Sequence, residues 1–276
     1  MILVTGATGN VGSELVSALA EEGHRVRALV RDPRKATLPA GVEPVTGDLN
    51  EPGTLTGALS GVRAVFLLPG YADMPGLLTR IREAGAERVV LLSGGSAGGG
   101  DMSNAVSRYM IVSERAVRDS GLPWTFVRPK AFMSNALRWL PQLAAGDVVR
   151  VPFPTVRAAA VDPYDIAAVA ARSLVTGEHE GRIHLVSGPE SLLPADQVAV
   201  LAKVLDRDLR CEGMTDEEAR TEMEATMPVE YVDAFFSFYV DGTLDESQVE
   251  PTVQEVTGRP PRTFEQWARA HAETFR

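Results

Sequence analysis

The chain has 276 residues, of which 45% are hydrophobic and 23% charged, and its formal net charge is -10 at pH 7. This apolar content can fill a large core, either in one extended domain or in a domain with an appended lobe. The acidic balance leaves no broad basic surface for a phosphate backbone, so nucleic-acid binding is not expected. No apolar run approaches the roughly 20 residues that cross a bilayer, and the first predicted strand begins at Ile2. We therefore expect no membrane partner, no signal peptide and a cytoplasmic location.

The cysteine and the histidines predict neither a disulfide nor a metal site. Cys211 is the single cysteine, and its acidic neighbour Glu212 gives no reason to expect an activated thiolate. The histidines lie far apart in the chain and lack the spacing of metal ligands; they are His24, His179, His184 and His271. We interpret Cys211 as structural and expect no metal ion.

The chain opens with the pattern of a dinucleotide-binding site. Residues 1–13 read M-I-L-V-T-G-A-T-G-N-V-G-S, in which Ile2–Val4 predicts a buried strand that runs into a glycine-rich turn. Apolar residues at helical spacing predict a helix over Asn10–Ala20, and Arg25–Val30 predicts a second strand. The glycines of such a turn let the backbone approach a pyrophosphate, to which the helix N-terminus presents free N–H groups. The β-α-β context favours this interpretation over an ordinary tight turn.

Further strands alternate with helical or turn-rich segments through the first half of the chain. The predicted strands are Glu43–Val45, Arg63–Leu68, Arg88–Ser93 and Trp124–Arg128. The predicted helices are Thr54–Leu59, Met74–Ala84 and Asn104–Ser120. With the first two strands this makes six, which completes an α/β fold of the Rossmann type, a doubly wound parallel sheet with helices on both faces.

The pattern changes after Pro129 and predicts a smaller C-terminal α/β lobe. Its predicted elements are a helix at Asn135–Ala145, strands at Val148–Val151 and Ala158–Val161, a helix from Pro163, a strand at Ile183–Val186, a capped acidic helix at Asp216–Ala225 and an amphipathic helix at Thr263–Phe275. We expect residues 1–130 to form the nucleotide-binding core. We expect residues 131–276 to form mainly a substrate-binding lobe over the carboxyl ends of the strands, with some segments returning to the core.

A glycine-dense segment, Gly94–Gly100, follows the fifth predicted strand. It is either a flexible loop or, because it leaves the sheet at the ligand-binding end, a mobile rim of the active site.

The end of the second predicted strand bears on the choice of cofactor. Enzymes that prefer NAD usually carry an acidic residue there, about 20 residues past the glycines, whereas this chain reads V-R-D-P-R-K at Val30–Lys35. Arg31 occupies or adjoins that position, and a guanidinium can bind the extra 2′-phosphate of NADP, so NADP(H) is favoured over NAD(H). The alternative is that Arg31 and Arg34 are solvated while Asp32 contacts the ribose. Asp48 either accepts a hydrogen bond from the adenine amine or is an ordinary turn aspartate.

Six short strings form a second recognisable pattern: V-R-D-P-R-K at 30–35, G-D-L at 47–49, S-G-L-P-W-T-F-V-R-P at 120–129, F-M-S-N at 132–135, D-I-A-A-V-A at 165–170 and T-G-R-P-P at 257–261. Together they resemble the NmrA-like family of atypical short-chain dehydrogenase/reductases over nearly the whole chain. That resemblance implies quinone or azo-compound reductases, reductases of aromatic ketones, or redox sensors that bind the nucleotide without turnover. The nucleotide-binding residues we expect are Gly6, Thr8, Gly9, Asn10, Val11, Gly12, Arg31, Lys35, Asp48, Leu49, Leu68, Pro69, Ser93 and Pro129.

The wider superfamily uses Tyr-x-x-x-Lys, in which the lysine lowers the pKa of the tyrosine that protonates a reduced carbonyl. The residues four positions after Tyr71, Tyr109, Tyr164, Tyr231 and Tyr239 are Pro75, Ser113, Ala168, Phe235 and Thr243, so this motif is missing. Tyr109 lies where the superfamily tyrosine is expected, and it is equally interpretable as a packing residue.

Two other candidates for catalysis lie at strand ends. Ser93 ends the fifth predicted strand, where the superfamily serine that orients the carbonyl is expected, although it is equally interpretable as a turn serine. Lys130 follows Pro129 at the end of the sixth strand and can hold a substrate oxygen or the cofactor, with an exposed lysine as the alternative.

These observations lead to one hypothesis and one rival. The hypothesis is an NADPH-dependent reductase of a quinone or polycyclic aromatic ketone, because direct hydride transfer to such acceptors depends least on a dedicated proton donor. Its lobe carries aromatic and sulfur side chains suited to a flat substrate: Phe132, Met133, Trp139, Phe153, Tyr231, Phe235, Phe236 and Tyr239. The rival is a non-catalytic protein that senses NADP. The expected partner is a small aromatic substrate. The chain is either a monomer or a homodimer.

Overall fold

The computed structural model describes residues 1–275 and shows nine strands and eleven α-helices within them. The strands are β1 (Ile2–Val4), β2 (Val26–Leu29), β3 (Glu43–Val45), β4 (Ala64–Leu67), β5 (Arg88–Leu92), β6 (Trp124–Pro129), β7 (Val148–Val151), β8 (Arg182–Val186) and β9 (Arg210–Gly213). The helices are α1 (Asn10–Glu21), α2 (Thr56–Leu59), α3 (Met74–Glu83), α4 (Ala105–Asp119), α5 (Leu140–Ala145), α6 (Pro163–Val175), α7 (Pro194–Leu205), α8 (Asp216–Glu224), α9 (Val229–Tyr239), α10 (Thr252–Thr257) and α11 (Phe264–Ala270). Short 3-10 helices lie at Pro52–Leu55, Gly95–Gly99, Met133–Trp139 and Ala272–Phe275.

The main sheet has seven parallel strands in the order β3-β2-β1-β4-β5-β6-β8. This confirms the predicted Rossmann-type fold and corrects the predicted number of strands. The seventh strand, β8, pairs with β6 from Thr125 opposite Arg182 to Pro129 opposite Val186. Sequence periodicity placed this strand in the lobe because it does not report which strand is the neighbour.

Helices cover both faces of the sheet and bury its apolar side chains. On one face α1 packs against α6, with Leu15 and Ile166 fully buried. The other face carries α3 and α4, which bury Leu77 and Val117. Burying such a side chain stabilises the fold by about 1.5 to 3 kcal/mol relative to leaving it exposed. The helix predicted from Pro163 therefore belongs to the sheet layer, although it follows the first lobe segments in the chain.

The lobe has its own core and a two-stranded parallel sheet of β7 and β9. Its buried side chains come from the 3-10 helix after β6, α5, β7, α7 and α11, and include Trp139, Val149, Leu201 and Trp267. Among the described helices, none combines the length and apolar character that crossing a bilayer requires.

Two lobe predictions were wrong in their local form. The predicted strand Ala158–Val161 is an irregular segment, because its backbone groups pair with different neighbours: Ala158 with Leu192, and Val161 with Phe132. The predicted helix Asn135–Ala145 is divided into a 3-10 helix and α5, which begins at Leu140. Pro141 lies in the first turn of α5, where its missing N–H costs no hydrogen bond.

Candidate nucleotide and substrate site

The predicted site residues gather at one edge of the main sheet, where the parallel strands have their carboxyl ends. The strand order reverses between β1 and β4, and α/β folds bind ligands in the crevice at such a point. Grouped by the preceding strand, the site residues are Gly6 and Thr8 after β1, Arg31 and Lys35 after β2, Asp48 and Leu49 after β3, Leu68 and Pro69 after β4, Ser93 after β5, and Pro129 and Lys130 at the end of β6. Their contacts with a nucleotide stay a prediction.

The turn between β1 and α1 fits a dinucleotide pyrophosphate. Gly6 has a φ of +60°, and a Cβ on Gly12 would lie 2.0 Å from the Gly6 carbonyl oxygen, so the close packing of helix on turn excludes a side chain there. Gly9 is the N-cap of α1 and provides no side chain to cap the helix. The N–H groups of the first turn, which include those of Asn10 and Val11, are therefore positioned to bind an anion.

The lobe is tied to this turn by a hydrogen bond between side chains. The Asn10 amide donates to the Ser134 hydroxyl at 3.2 Å, and Ser134 lies in the 3-10 helix that follows β6. This contact gives the F-M-S-N string a structural role next to the nucleotide-binding turn.

Arg31 and Lys35 have exposed side chains that make no hydrogen bond or ion pair within the part of the chain that the structure describes. Asp32 is bound by Arg34, whose Nε donates to Oδ1 at 3.1 Å, and this hydrogen bonding lowers the pKa of Asp32. Asp48 accepts the Asn50 backbone N–H at 2.8 Å, as a turn aspartate does, and its side chain is also exposed. The Arg31 side chain is therefore available to bind a ligand, whereas Asp32 already binds Arg34.

Where the superfamily carries its tyrosine and lysine, this chain carries Tyr109 and Ser113. Tyr109 lies on α4, and its ring packs against Gly70, where an added Cβ would come within 3.4 Å of it. Ser113, which replaces the lysine, accepts the Gly70 backbone N–H at 2.9 Å and donates to the Tyr109 carbonyl oxygen at 2.8 Å. Burial, with a smaller effect of nearby Tyr231, raises the pKa of Tyr109. Ser113 thus fixes the loop after β4 to α4 and supplies no charge that would activate the phenol.

Ser93 is buried and directs its hydroxyl towards α4. It donates to Glu114 Oε1 at 2.7 Å, and the Glu114 carboxylate also accepts two hydrogen bonds from the Arg128 guanidinium at 2.8 and 2.7 Å. Arg118 adds an ion pair at 3.3 Å. The proton of Ser93 is therefore engaged in a buried cluster that joins β5, β6 and α4, and its role toward a substrate stays a prediction.

Lys130 is buried, which excludes the exposed alternative. Its ammonium donates to the Gln248 carbonyl oxygen and forms an ion pair with Glu250 Oε1 at 3.1 Å. These partners lie in the segment before α10, so Lys130 attaches that segment to the carboxyl end of β6. This geometry indicates a structural anchor, and catalysis by Lys130 stays a prediction.

An aromatic cluster, defined as Phe153, Phe235, Phe236 and Tyr239, lies beside this anchor. The Phe153 ring centroid is 5.3 Å from that of Phe236 and 5.2 Å from that of Tyr239. All four rings are half-buried, and Phe153 has the unusual φ of +52°. Met133 and Trp139, which are also predicted for the substrate surface, are instead buried in the lobe core.

Glu246 connects the cluster to the end of β6. Its carboxylate accepts the Tyr239 hydroxyl at 2.8 Å and the backbone N–H of Ala131, the residue after Lys130. Burial raises the pKa of both Glu246 and Tyr239, so the phenol is neutral at physiological pH. The half-buried rings therefore lie at the ligand-binding edge of the sheet.

The glycine-dense segment has regular secondary structure, which a flexible loop would lack. Gly95–Gly99 forms a 3-10 helix in which Ser96 and Ala97 are buried. A Cβ on Gly94 would lie 3.0 Å from Met110 Cε, so the start of this segment packs closely against α4. Its position at the rim is as expected, and its mobility stays a prediction.

Sequence reasoning missed two charged residues at this edge, Glu114 and Glu246. Glu114 lies among apolar residues of a predicted helix, and a lone acid on an apolar helix face is a signal that a buried partner is near. Glu246 lies in the lobe, and its place depends on a contact with the distant Ala131 that local patterns do not report.

Comparisons with known proteins agree with this geometry. A family model described as NAD(P)H-binding matches residues 6–176. The chain is 44% identical to the (4-alkanoyl-5-oxo-2,5-dihydrofuran-3-yl)methyl phosphate reductase of Streptomyces griseus, over 100% of this chain and 99% of the relative. It is 38% identical to the NAD(P)H azoreductase of Xenophilus azovorans, with the same coverage. The crystal structure of an NADPH-dependent quinone oxidoreductase from Escherichia coli, complexed with NADPH, is 21% identical, superposes with a TM-score of 0.80 and covers 100% of both chains.

Proposed function

The chain belongs to the NAD(P)H-binding, NmrA-like family and is an NAD(P)H-dependent oxidoreductase, and we propose that it uses NADPH to reduce a quinone or a polycyclic aromatic ketone by direct hydride transfer. The relatives at 44% and 38% identity both carry the names of reductases, which favours a reductase over a non-catalytic sensor. The free Arg31 side chain after β2 supports the preference for NADPH.

The observation that carries this proposal is the arrangement of Ser113 with Tyr109. A general acid needs a pKa near the working pH, whereas burial raises the pKa of Tyr109 and Ser113 places no cation beside it. When bound, the reduced nicotinamide supplies a hydride. The acceptors that depend least on a protein acid are those in which the developing charge is delocalised, as in a quinone, or held by a neighbouring phenol, as in a hydroxylated aromatic ketone.

The aromatic cluster supports a flat acceptor. Its half-buried rings offer an apolar surface beside the end of β6, while Glu246 and Lys130 already have partners of their own. In this proposal the cluster orients the acceptor and excludes water, and binding in the correct orientation provides most of the rate acceleration.

The test is anaerobic incubation of the protein with NADPH and a panel of quinones and aromatic ketones, followed by loss of the nicotinamide absorbance. We expect NADPH oxidation that requires both protein and acceptor. Tight NADPH binding without oxidation by any member of the panel would contradict the proposal. A Gly12→Leu variant, which places a side chain against the Gly6 backbone, is the control that lacks nucleotide binding.

A second candidate acceptor is an unsaturated lactone that carries a phosphate, as the name of the Streptomyces relative describes. The 44% identity over the whole chain favours it. Such a lactone shares with a quinone a conjugated carbonyl that accepts hydride, and the same assay tests it.

A further inference from the structure

A buried acid and a phenol form a hydrogen-bonded pair within and beside the aromatic cluster. Glu246 is 8% exposed, and its carboxylate accepts the hydroxyl of the half-buried Tyr239 at 2.8 Å. The same carboxylate accepts the backbone N–H of Ala131, which follows Lys130 at the carboxyl end of β6. The pair therefore lies at the edge of the sheet where α/β folds bind their ligands.

The segment that carries Glu246 is fixed across the ends of the strands. The Glu246 carbonyl oxygen accepts the Ala159 backbone N–H at 2.7 Å. Further along the same segment, the Glu250 backbone N–H donates at 2.7 Å to the hydroxyl of Ser187, the residue after β8. Because its backbone and its side chain are both bound, the Glu246 carboxyl group keeps one position relative to β6, as a group that transfers a proton must.

The carboxyl group of Glu246 favours its acid form more than an exposed glutamate does. Burial raises the pKa of Glu246, with a smaller effect of Asp245 in the same direction, and outweighs its hydrogen bonds and the ammonium of Lys130, which lower it. Burial and Glu246 also raise the pKa of Tyr239, against the charge of Arg138. A phenol can accept one hydrogen bond and donate another, so an acid form of Glu246 that donates to Tyr239 leaves the phenol proton free for a ligand.

We propose that Glu246 and Tyr239 form a proton relay, in which the Tyr239 hydroxyl protonates the oxygen of the reduced acceptor and Glu246 replaces that proton. When bound, the reduced nicotinamide supplies hydride to the carbonyl carbon, and the π-electron pair of the carbonyl moves to its oxygen. That oxygen takes the phenol proton, and the phenol oxygen takes the carboxyl proton. The Glu246 carboxylate regains a proton from water after the product leaves. This inference rests on the proposed function and adds the source of the proton to it.

The relay extends the acceptors to aromatic ketones that lack a neighbouring phenol. Hydride transfer to such a ketone produces an alkoxide, a strong base that needs a proton donor, whereas a reduced quinone forms a stabilised phenolate. Tyr109 has no comparable proton source, because Ser113 donates its hydroxyl to the Tyr109 carbonyl oxygen. In this inference the lobe supplies the acid, and the position of the superfamily dyad does not.

The test compares 2-acetonaphthone, which has no neighbouring phenol, with 1,4-naphthoquinone in single turnovers of NADPH-loaded wild type, Tyr239→Phe and Glu246→Gln. In both variants we expect the rate with the ketone to fall about 100-fold or more, the effect of losing a general acid, and the rate with the quinone to stay within about threefold. Both substitutions keep the aromatic rings, so the Kd of NADPH should change little.

The pH dependence distinguishes a relay from a purely structural contact. The rate with the ketone should fall as the pH rises through the pKa of Glu246, because only the acid form of Glu246 replaces the phenol proton. Glu246→Gln should lack this fall. Infrared difference spectra of wild type against Glu246→Gln give a readout independent of turnover, a carboxylic acid band that disappears over the same pH range. A wild type without the fall in rate, or without this band, would overturn the relay.

The matched control is Tyr164→Phe, which removes a phenol hydroxyl from a ring that packs against Arg259 and Arg262. It should leave the ratio of the two rates unchanged. Equal slowing with both acceptors, an unchanged ratio in Tyr239→Phe, or a wild type that reduces the quinone and not the ketone would overturn the relay while the proposed function stands. Should Glu246→Gln fail to fold, Tyr239→Phe and the wild-type pH profile decide the question. If the wild type binds NADPH and reduces neither acceptor, the proposed function is wrong and the inference falls with it.

Discussion

At the residue scale, Arg31 is the main candidate for the residue that selects the cofactor. Its side chain is exposed after β2 and lacks a partner within the described residues, whereas Arg34 is bound to Asp32. We expect Arg31→Ala to weaken NADPH binding about 10- to 100-fold and NADH binding by much less, because only NADPH carries the 2′-phosphate. Fluorescence titration with both nucleotides measures this difference.

The contrasting variant is Asp32→Asn. If Asp32 contacts the ribose and Arg31 is merely solvated, Asp32→Asn would weaken both nucleotides and Arg31→Ala would affect them equally. That outcome would refute the assigned phosphate contact.

The phenol of Tyr109 is the second residue whose role the structure makes testable. Because burial raises its pKa and Ser113 replaces the lysine, we expect Tyr109→Phe to keep kcat within about threefold of the wild type, far from the effect of losing a general acid. Steady-state kinetics with a quinone and with an aromatic ketone measure kcat. A fall of about 100-fold or more would show that Tyr109 is the acid after all.

At the scale of elements, a pair of histidines lies at the edge strand of the main sheet, with His184 on β8 and His179 in the segment before it. His184 Nε2 lies 3.1 Å from His179 Nδ1, and burial, together with the charges of His179 and Arg182, lowers the pKa of His184 from 6.5 to about 4. The unfolded chain takes up this proton below about pH 6.5, while the folded chain takes it up only near pH 4. The stability associated with His184 is therefore present above pH 6.5 and lost as the pH falls to about 4.

Because His184 is only half-buried, solvent screening reduces the effect, and we expect a loss of about 1 kcal/mol across this window. Urea unfolding of the wild type and of His184→Gln at several pH values measures it. The variant should show a smaller loss of unfolding free energy. Parallel pH curves for the two proteins would contradict this account of β8.

The elements also show what local sequence patterns can and cannot predict. The β1-α1-β2 unit was predicted because its strand, turn and helix signals are all local. The pairing of β8 with β6 was not, because Arg182 and Thr125 meet only after the intervening lobe segments have folded. For the same reason Ser93 could be assigned to a strand end, while its hydrogen bond to Glu114 could not be foreseen.

At the scale of the whole molecule, the C-terminal segment is joined to the sheet layer through Asp165 on α6. Asp165 is fully buried, accepts from the Arg259 guanidinium at 2.6 Å and from the Arg262 backbone N–H at 2.7 Å. Both arginine side chains also stack on the Tyr164 ring. These contacts explain the T-G-R-P-P string as a structural connection between the two halves of the chain.

We expect Asp165→Ala to reduce the free energy of unfolding by about 2 to 4 kcal/mol, because it leaves a partly buried guanidinium and a backbone N–H without their acceptor. The control is Glu265→Ala, which removes surface ion pairs with Arg269 and Lys203 and should reduce the free energy of unfolding far less. Equal losses for the two variants in urea unfolding would show that this connection is not a main support of the fold.

We propose that this reductase transfers hydride directly to a conjugated acceptor without a tyrosine-lysine dyad. The decisive experiment is single-turnover stopped-flow measurement with 1,4-naphthoquinone, which compares NADPH with NADPH deuterated at either face of the nicotinamide C4. We expect slower oxidation with one of the two deuterated forms, and we expect Tyr109→Phe to leave both the isotope effect and the rate nearly unchanged. Bound NADPH that is not oxidised, equal rates with every isotopic form, or a rate that collapses in Tyr109→Phe would refute direct transfer without the dyad.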